Sequence, residues 1–162
     1  MKKSFLPVIS ADTRALFLGT LPGEKSLTAQ QYYAHPQNKF WPLFFDVWKE
    51  HYRDNYSERL FFLQQKGFGL WDVLHKANRK GSLDTAITDY VVNDFKALLE
   101  EYSNVQVFYF TSQQAYKWFF KTYKDTLPVR LVVLSSPSPA NARMSYAEKL
   151  KDWNEKILDY SL

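Results

Sequence analysis

Three stretches of the chain are almost unbroken in apolar residues: Ala15-Leu16-Phe17-Leu18, Val105 to Phe110, and Leu131-Val132-Val133-Leu134. A weaker fourth, Phe68 to Trp71, is set up by Gly67 and Gly69. A half-exposed strand alternates apolar and polar residues, so runs of this kind predict strands covered on both faces. Between them the period lengthens to that of a helix. Phe40, Leu43, Phe44, Val47 and Trp48 share one helical face, as do Phe95, Leu98, Leu99 and Tyr102 behind a candidate N-cap at Asn93. Ser112 is placed to cap a third helix carrying Ala115, Trp118 and Phe119. Ser145-Tyr146-Ala147-Glu148 reads as a capping box ahead of Leu150, Trp153 and Ile157. The stretch from Asn55 to Asn93 resolves less well and is expected to mix a helix with long loops. Alternating strands and helices predict an α/β fold with a mostly parallel sheet.

Composition narrows the chemistry. At 162 residues the chain is expected to form a single domain over 1–162. Cysteine is absent, which excludes disulfides, thiolate catalysis, iron–sulfur clusters and cysteine-ligated zinc. The three histidines, His35, His51 and His75, are not paired at ligand spacing, so no metal and no cofactor are expected. No apolar run reaches membrane-spanning length, and no signal peptide follows Met1. The expectation is a cytoplasmic protein without a membrane partner. The net charge of +4 comes from the first half, where residues 1–81 hold 12 Lys/Arg against 7 Asp/Glu. Such a field suits a phosphate-bearing partner. Five Trp, eleven Tyr and thirteen Phe are enough to build a core and spare rings for stacking on bases.

In a parallel α/β sheet, ligands bind beyond the carboxyl ends of the strands. The loop after the first strand is Gly19-Thr20-Leu21-Pro22-Gly23-Glu24-Lys25-Ser26. Its glycines allow a ligand to approach the backbone closely, although the turn equally suits a plain strand exit. Its spacing matches neither a dinucleotide fingerprint nor a Walker loop. There follows Gln31-Tyr32-Tyr33-Ala34-His35-Pro36-Gln37-Asn38-Lys39-Phe40-Trp41. Here Asn38 can cap a helix or serve a site, and Phe40 and Trp41 can be first-turn core residues. After the last strand, Ser135-Ser136-Pro137-Ser138-Pro139-Ala140-Asn141-Ala142-Arg143 is a stiff loop ending in a cation, able to act as a wedge or as an ordinary connection.

Taken in order, these segments resemble the uracil-DNA glycosylase superfamily: Gly-x-x-Pro-Gly, then Asn-x-Phe-Trp, then Ser-Pro-Ser-Pro-Ala-Asn. The run from Gln31 to Trp41, with Gly69-Leu70-Trp71-Asp72-Val73-Leu74, is similar to the hypoxanthine-DNA glycosylase branch. The match spans about residues 14 to 143. The resemblance implies a three-layer α/β/α fold with a four-stranded sheet. It also implies a monofunctional enzyme that hydrolyses the N-glycosidic bond of a deaminated base in double-stranded DNA. A uracil-preferring enzyme, a non-catalytic lesion-binding relative and a small-nucleotide binder stand as alternatives.

The resemblance also assigns roles. Gly19, Thr20, Leu21 and Gly23 form the base pocket, and Phe40 is expected to stack on the extruded ring; Tyr32 and Tyr33 are either pocket walls or core cover. Several relatives carry the water-activating Asp or Asn at the third position of the first motif. Leu21 stands there in this chain, and in the hypoxanthine branch the role passes to Asn38. Ser136, Ser138, Pro139, Ala140, Asn141 and Arg143 form the expected DNA-binding loop. Gly23, lacking a side chain, leaves room for a purine. Lys25 and Lys39 are expected to be solvated or to meet phosphate rather than act as nucleophiles. His35 can fix its loop or touch the base. Trp71 and Asp72 can pack, cap or line the pocket. A monomer is expected.

Overall fold

The computed structural model describes residues 1–158. In chain order these form β1 (Lys2–Lys3), β2 (Ala15–Gly19), α1 (Glu24–Ala29), α2 (Phe40–Val47), α3 (Tyr56–Gln65), β3 (Phe68–Asp72), β4 (Leu74–Arg79), β5 (Ile87–Val92), α4 (Phe95–Glu101), β6 (Val107–Phe110), α5 (Gln113–Tyr123), β7 (Arg130–Val133) and α6 (Tyr146–Leu158). A short 3₁₀ turn, Asp84–Ala86, joins β4 to β5.

The four apolar runs form one sheet in the order β3-β2-β6-β7, with every neighbouring pair parallel. Successive strand residues point to opposite faces, and this sorts one apolar run into two cores. Ala15, Phe17, Phe68, Leu70 and Tyr109 pack with α2, α3 and α6 on one face. Leu16, Leu18, Phe108 and Phe110 pack with α4 and α5 on the other. This is the expected three-layer arrangement, and every residue of β2 is buried because helices cover both sides. Gly69 is needed where the N-terminal segment crosses β3, because a Cβ there would collide with the Val8 carbonyl oxygen.

Several predicted caps form. Ser112 Oγ accepts from the Ala115 amide at 3.1 Å. Ser145 and Glu148 exchange reciprocal bonds, each 3.1 Å, which closes the capping box. The cap expected at Asn93 is one residue off. Asp94 accepts from the Ala97 amide, while Asn93 turns inward and donates its Nδ2 to the Asp72 carbonyl at 2.8 Å.

The stretch from Asn55 to Asn93 departs most from expectation. Beyond α3 and β3 it forms the β4–β5 hairpin, which joins β1 in a second, antiparallel sheet of order β1-β4-β5. Its ladder shifts register twice, between Leu74 and Lys76 and between Lys76 and Asn78, so no clean two-residue period survives in the sequence. Among the described residues, no helix is long and apolar enough to cross a membrane.

Candidate active site

A cavity of about 1050 Å³ opens at the carboxyl ends of β2, β3, β6 and β7. Three of its walls are the segments singled out in the sequence: the Gly19–Ser26 turn, the Tyr32–Asn38 loop and the Ser135–Asn141 loop. The fourth is the tip of the β4–β5 hairpin, from Arg79 to Thr85.

Backbone and side-chain bonds hold the first turn by its carbonyls. Gly19 and Thr20 accept from the amides of Val73 and Leu74 at 2.8 and 3.1 Å. The guanidinium of Arg79 donates to the carbonyls of Leu21, at 3.3 Å, and Pro22. Arg79 also meets Asp84 at 3.3 Å, and Asp84 accepts from the Thr20 hydroxyl at 2.8 Å. Ser82 Oγ accepts from the Glu24 amide at 2.9 Å. With its carbonyls engaged, the turn retains N–H groups for a ligand. Leu21 is buried and closes the wall with hydrocarbon. Gly19 must lack a side chain, because a Cβ there would lie 2.8 Å from Asp72 Oδ1.

Phe40 does not face the cavity. It is fully buried among Phe17, Trp41, Phe44 and Trp153. The ring of Tyr33 covers it, with centroids 4.0 Å apart and planes 10° apart. Phe40 is therefore the backing of the wall, and Tyr33 is the ring of this stacked pair that lines the cavity. Tyr33 has a φ of 57°, in the left-handed region that non-glycine residues rarely occupy. That turn directs its ring over Phe40 and its hydroxyl to Thr111 Oγ1, 3.3 Å away. Tyr32 is buried beside it and accepts the Trp41 indole N–H on its carbonyl at 3.0 Å.

Asn38 lines the cavity half-exposed, just ahead of α2. It is not the N-cap expected of it: Lys39 holds that position without a side-chain cap bond, and Asn38 Oδ1, one residue earlier, accepts from the Phe40 amide at 2.9 Å in an Asx-type turn. An amide oxygen has two lone pairs, and the second can hold a water. His35 fixes this loop: its Nδ1 accepts from the Gln37 amide at 3.1 Å and its carbonyl from the Asn38 amide at 2.9 Å. Lys25 and Lys39 are both exposed.

The proline-rich loop is braced internally and against the Asn38 segment. The Lys39 amide donates to the Pro137 carbonyl at 2.9 Å. Asn141 Nδ2 donates to the Ser136 carbonyl at 3.2 Å, and Ser138 Oγ accepts from the Ala140 amide at 3.2 Å. At the loop's root, Asp152 accepts from both the Ser135 amide and hydroxyl. Ser136, Ser138, Pro139, Ala140 and Asn141 all line the cavity; Arg143 stands outside it, exposed.

Two neighbours divide differently from each other. Trp71 packs on Phe95 and donates its indole N–H to the Phe5 carbonyl. Asp72, at the end of β3, lies on the cavity floor, and burial pushes its carboxyl up to about 7. Arg79, Ser82 and Asp84 were not singled out in the sequence. Their hairpin carries no motif, and the only signal available was an Arg and an Asp flanking Gly81-Ser82.

A family model described as the uracil DNA glycosylase superfamily matches residues 6–159. Over 155 residues, the chain is 34% identical to a protein of Methanosarcina barkeri named hypoxanthine DNA glycosylase, spanning 95% of this chain and 96% of that one. A protein of the same name from Methanosarcina acetivorans is 34% identical over 146 residues, covering 90% and 91%. The solution NMR structure of a Methanosarcina acetivorans protein, provisionally named a uracil DNA glycosylase, superposes with a TM-score of 0.83. It shares 32% identity and covers 96% of this chain and 95% of that one.

Proposed function

The chain belongs to the uracil-DNA glycosylase superfamily, and on that premise we propose that it is a monofunctional DNA glycosylase whose preferred substrate is hypoxanthine. The observation that carries the reading is one cavity lined by both Asn38 and Tyr33, at the strand ends where ligands bind.

A base inside a duplex is out of reach and must be extruded, at lower cost when mispaired. The extruded ring stacks on Tyr33, which Phe40 supports from behind. N–H groups of the Gly19–Gly23 turn meet the negative charge that grows on the departing base. Gly23 adds no side chain to the wall, which suits a purine. Asn38 cannot abstract a proton, but its Oδ1 can orient a water. That suffices when the glycosidic bond breaks ahead of attack and leaves a cationic sugar for the water to trap. The Ser136–Asn141 loop fills the gap in the duplex, and Arg143 contacts phosphate. The same proposal takes the protein to act as a single-domain monomer in the cytoplasm, without a metal or cofactor.

The test is single-turnover cleavage of duplexes containing deoxyinosine or deoxyuridine, in chelator, with alkali to reveal abasic sites. Deoxyinosine should be cut faster, and Asn38→Ala should lose most of that rate while still binding. Faster cutting of deoxyuridine would establish the uracil-preferring alternative. Binding without cleavage of either duplex would leave a lesion-binding protein.

A further inference from the structure

Asp72 Oδ2 is buried and has no hydrogen-bond partner among the described residues. Buried polar atoms are almost always paired, so an unpaired carboxyl oxygen on a residue that lines the cavity requires an explanation. The group is not loosely placed. Its main-chain carbonyl is gripped by Asn93 Nδ2 at 2.8 Å, and Oδ1 lies against the Gly19 α-carbon, where a Cβ would come within 2.8 Å. The absent side chain at Gly19 is thus what gives the carboxyl its place on the floor.

The charge of Arg79 favours ionisation of Asp72, but burial outweighs that pull. Arg79, on β4, directs its Nη groups to Asp84 and to the carbonyls of Leu21 and Pro22. Asp84, on the hairpin tip, opposes ionisation of a second carboxylate nearby, as the desolvated floor does. The remaining titratable groups facing Asp72 are the phenols of Tyr32 and Tyr33, which burial keeps protonated. Thr111, beyond β6, contributes only a neutral hydroxyl beside Tyr33.

We propose that Asp72 reads the extruded base as a neutral carboxylic acid, its O–H donating to the ring carbonyl oxygen and its C=O accepting the adjoining ring N–H. This rests on the glycosylase reading and deepens it. The partner edge is a lactam, the carbonyl and N–H that hypoxanthine presents at O6 and N1, and that uracil presents at O4 and N3. A carboxylic acid meets a lactam in a cyclic pair of hydrogen bonds, one donated and one accepted. An ionised carboxylate has no proton to donate and would repel the negative charge building on the base.

The experiment follows single-turnover cleavage of a deoxyinosine duplex by wild type, Asp72→Asn and Asp72→Ala from about pH 5 to pH 9. The asparagine retains one donor and one acceptor but cannot titrate. Wild-type rate should fall as pH rises through about 7, approaching tenfold per pH unit above it. Asp72→Asn should remain flat over that window, and Asp72→Ala should also be flat and at least tenfold slower than wild type below about pH 7. Identical profiles for wild type and Asp72→Asn would overturn the proposal. Should Asp72→Ala fail to fold, the wild-type and asparagine pair decides alone. Calorimetric binding of free hypoxanthine provides a readout independent of cleavage. Binding that weakens above about pH 7 in wild type only, in a protein that cuts nothing, would sink the glycosylase reading and uphold Asp72. No hypoxanthine binding, or binding with the same pH dependence in both proteins, would sink Asp72.

Discussion

The rings of Tyr33 and Phe40 are stacked, 4.0 Å between centroids and 10° between planes, and only Tyr33 lines the cavity. The two residues thus play different parts in one wall. Phe40 anchors it in the core, and Tyr33 borders the cavity. Their substitutions should separate. Tyr33→Ala should keep the fold and weaken duplex binding or cleavage by about 1–3 kcal/mol, the worth of one stacked base. Phe40→Ala should instead destabilise the fold by about 3–5 kcal/mol. Thermal denaturation beside single-turnover kinetics checks both, and a stable, inactive Phe40→Ala would reverse the assignment.

Asn38 lines the cavity, and its Oδ1 accepts from the Phe40 amide. Asn38→Ala should cost about 1 kcal/mol of stability, as loss of one side-chain hydrogen bond does. It should also reduce cleavage by about a hundredfold or more, within the range of a lost water-positioning group. Denaturant titration and single-turnover cleavage on the same preparation distinguish the two effects.

Arg79 ties the hairpin to the first turn through Asp84, Leu21 and Pro22. Arg79→Met keeps the apolar stem but leaves two buried carbonyls unpaired. It should destabilise by about 2–4 kcal/mol. Cleavage should fall with duplex affinity nearly unchanged, because the turn it holds lines the cavity proposed to take the base. A large loss of affinity with normal single-turnover rate would contradict this.

Arg143 is exposed at the end of the proline-rich loop. Arg143→Ala should weaken duplex binding uniformly across sequences and lower the slope of log affinity against log salt by about 1. The single-turnover rate at saturating protein should stay within about twofold, since phosphate contacts position rather than react. Titrations at several salt concentrations supply the slope.

The Asp72 carboxyl, raised to about 7 by burial, binds its proton more tightly in the folded chain than in the unfolded one, where a free Asp titrates near about 3.9. Stability from this group is therefore fully present below about pH 4 and lost as pH rises through about 7. Asp72→Asn should melt higher than wild type above that range, with the gap closing toward pH 4. Melting curves across the window test the sign, and a wild type that gains on the variant as pH rises would refute it.

Much of the scaffold was legible in the sequence because it rests on local rules. Four apolar runs became four strands, and helical periods with Ser112 or Ser145 at their heads became α5 and α6, since pattern and cap chemistry act over a few residues. The β4–β5 hairpin was not legible: its register shifts erase the two-residue period, and its ladder depends on β1, more than seventy residues away.

The site divides along the same line. The sequence by itself determined the three loops around the cavity and the family they resemble, because tight turns need glycine and proline at set places. Only the tertiary structure decided which ring faces the cavity, since Tyr33 and Phe40 are equally aromatic until one is packed behind the other. It also decided that Asp72 Oδ2 has no hydrogen-bond partner among the described residues and that Arg79 holds the turn. Burial and the absence of a partner depend on segments remote in the chain, and no spacing of residues encodes them.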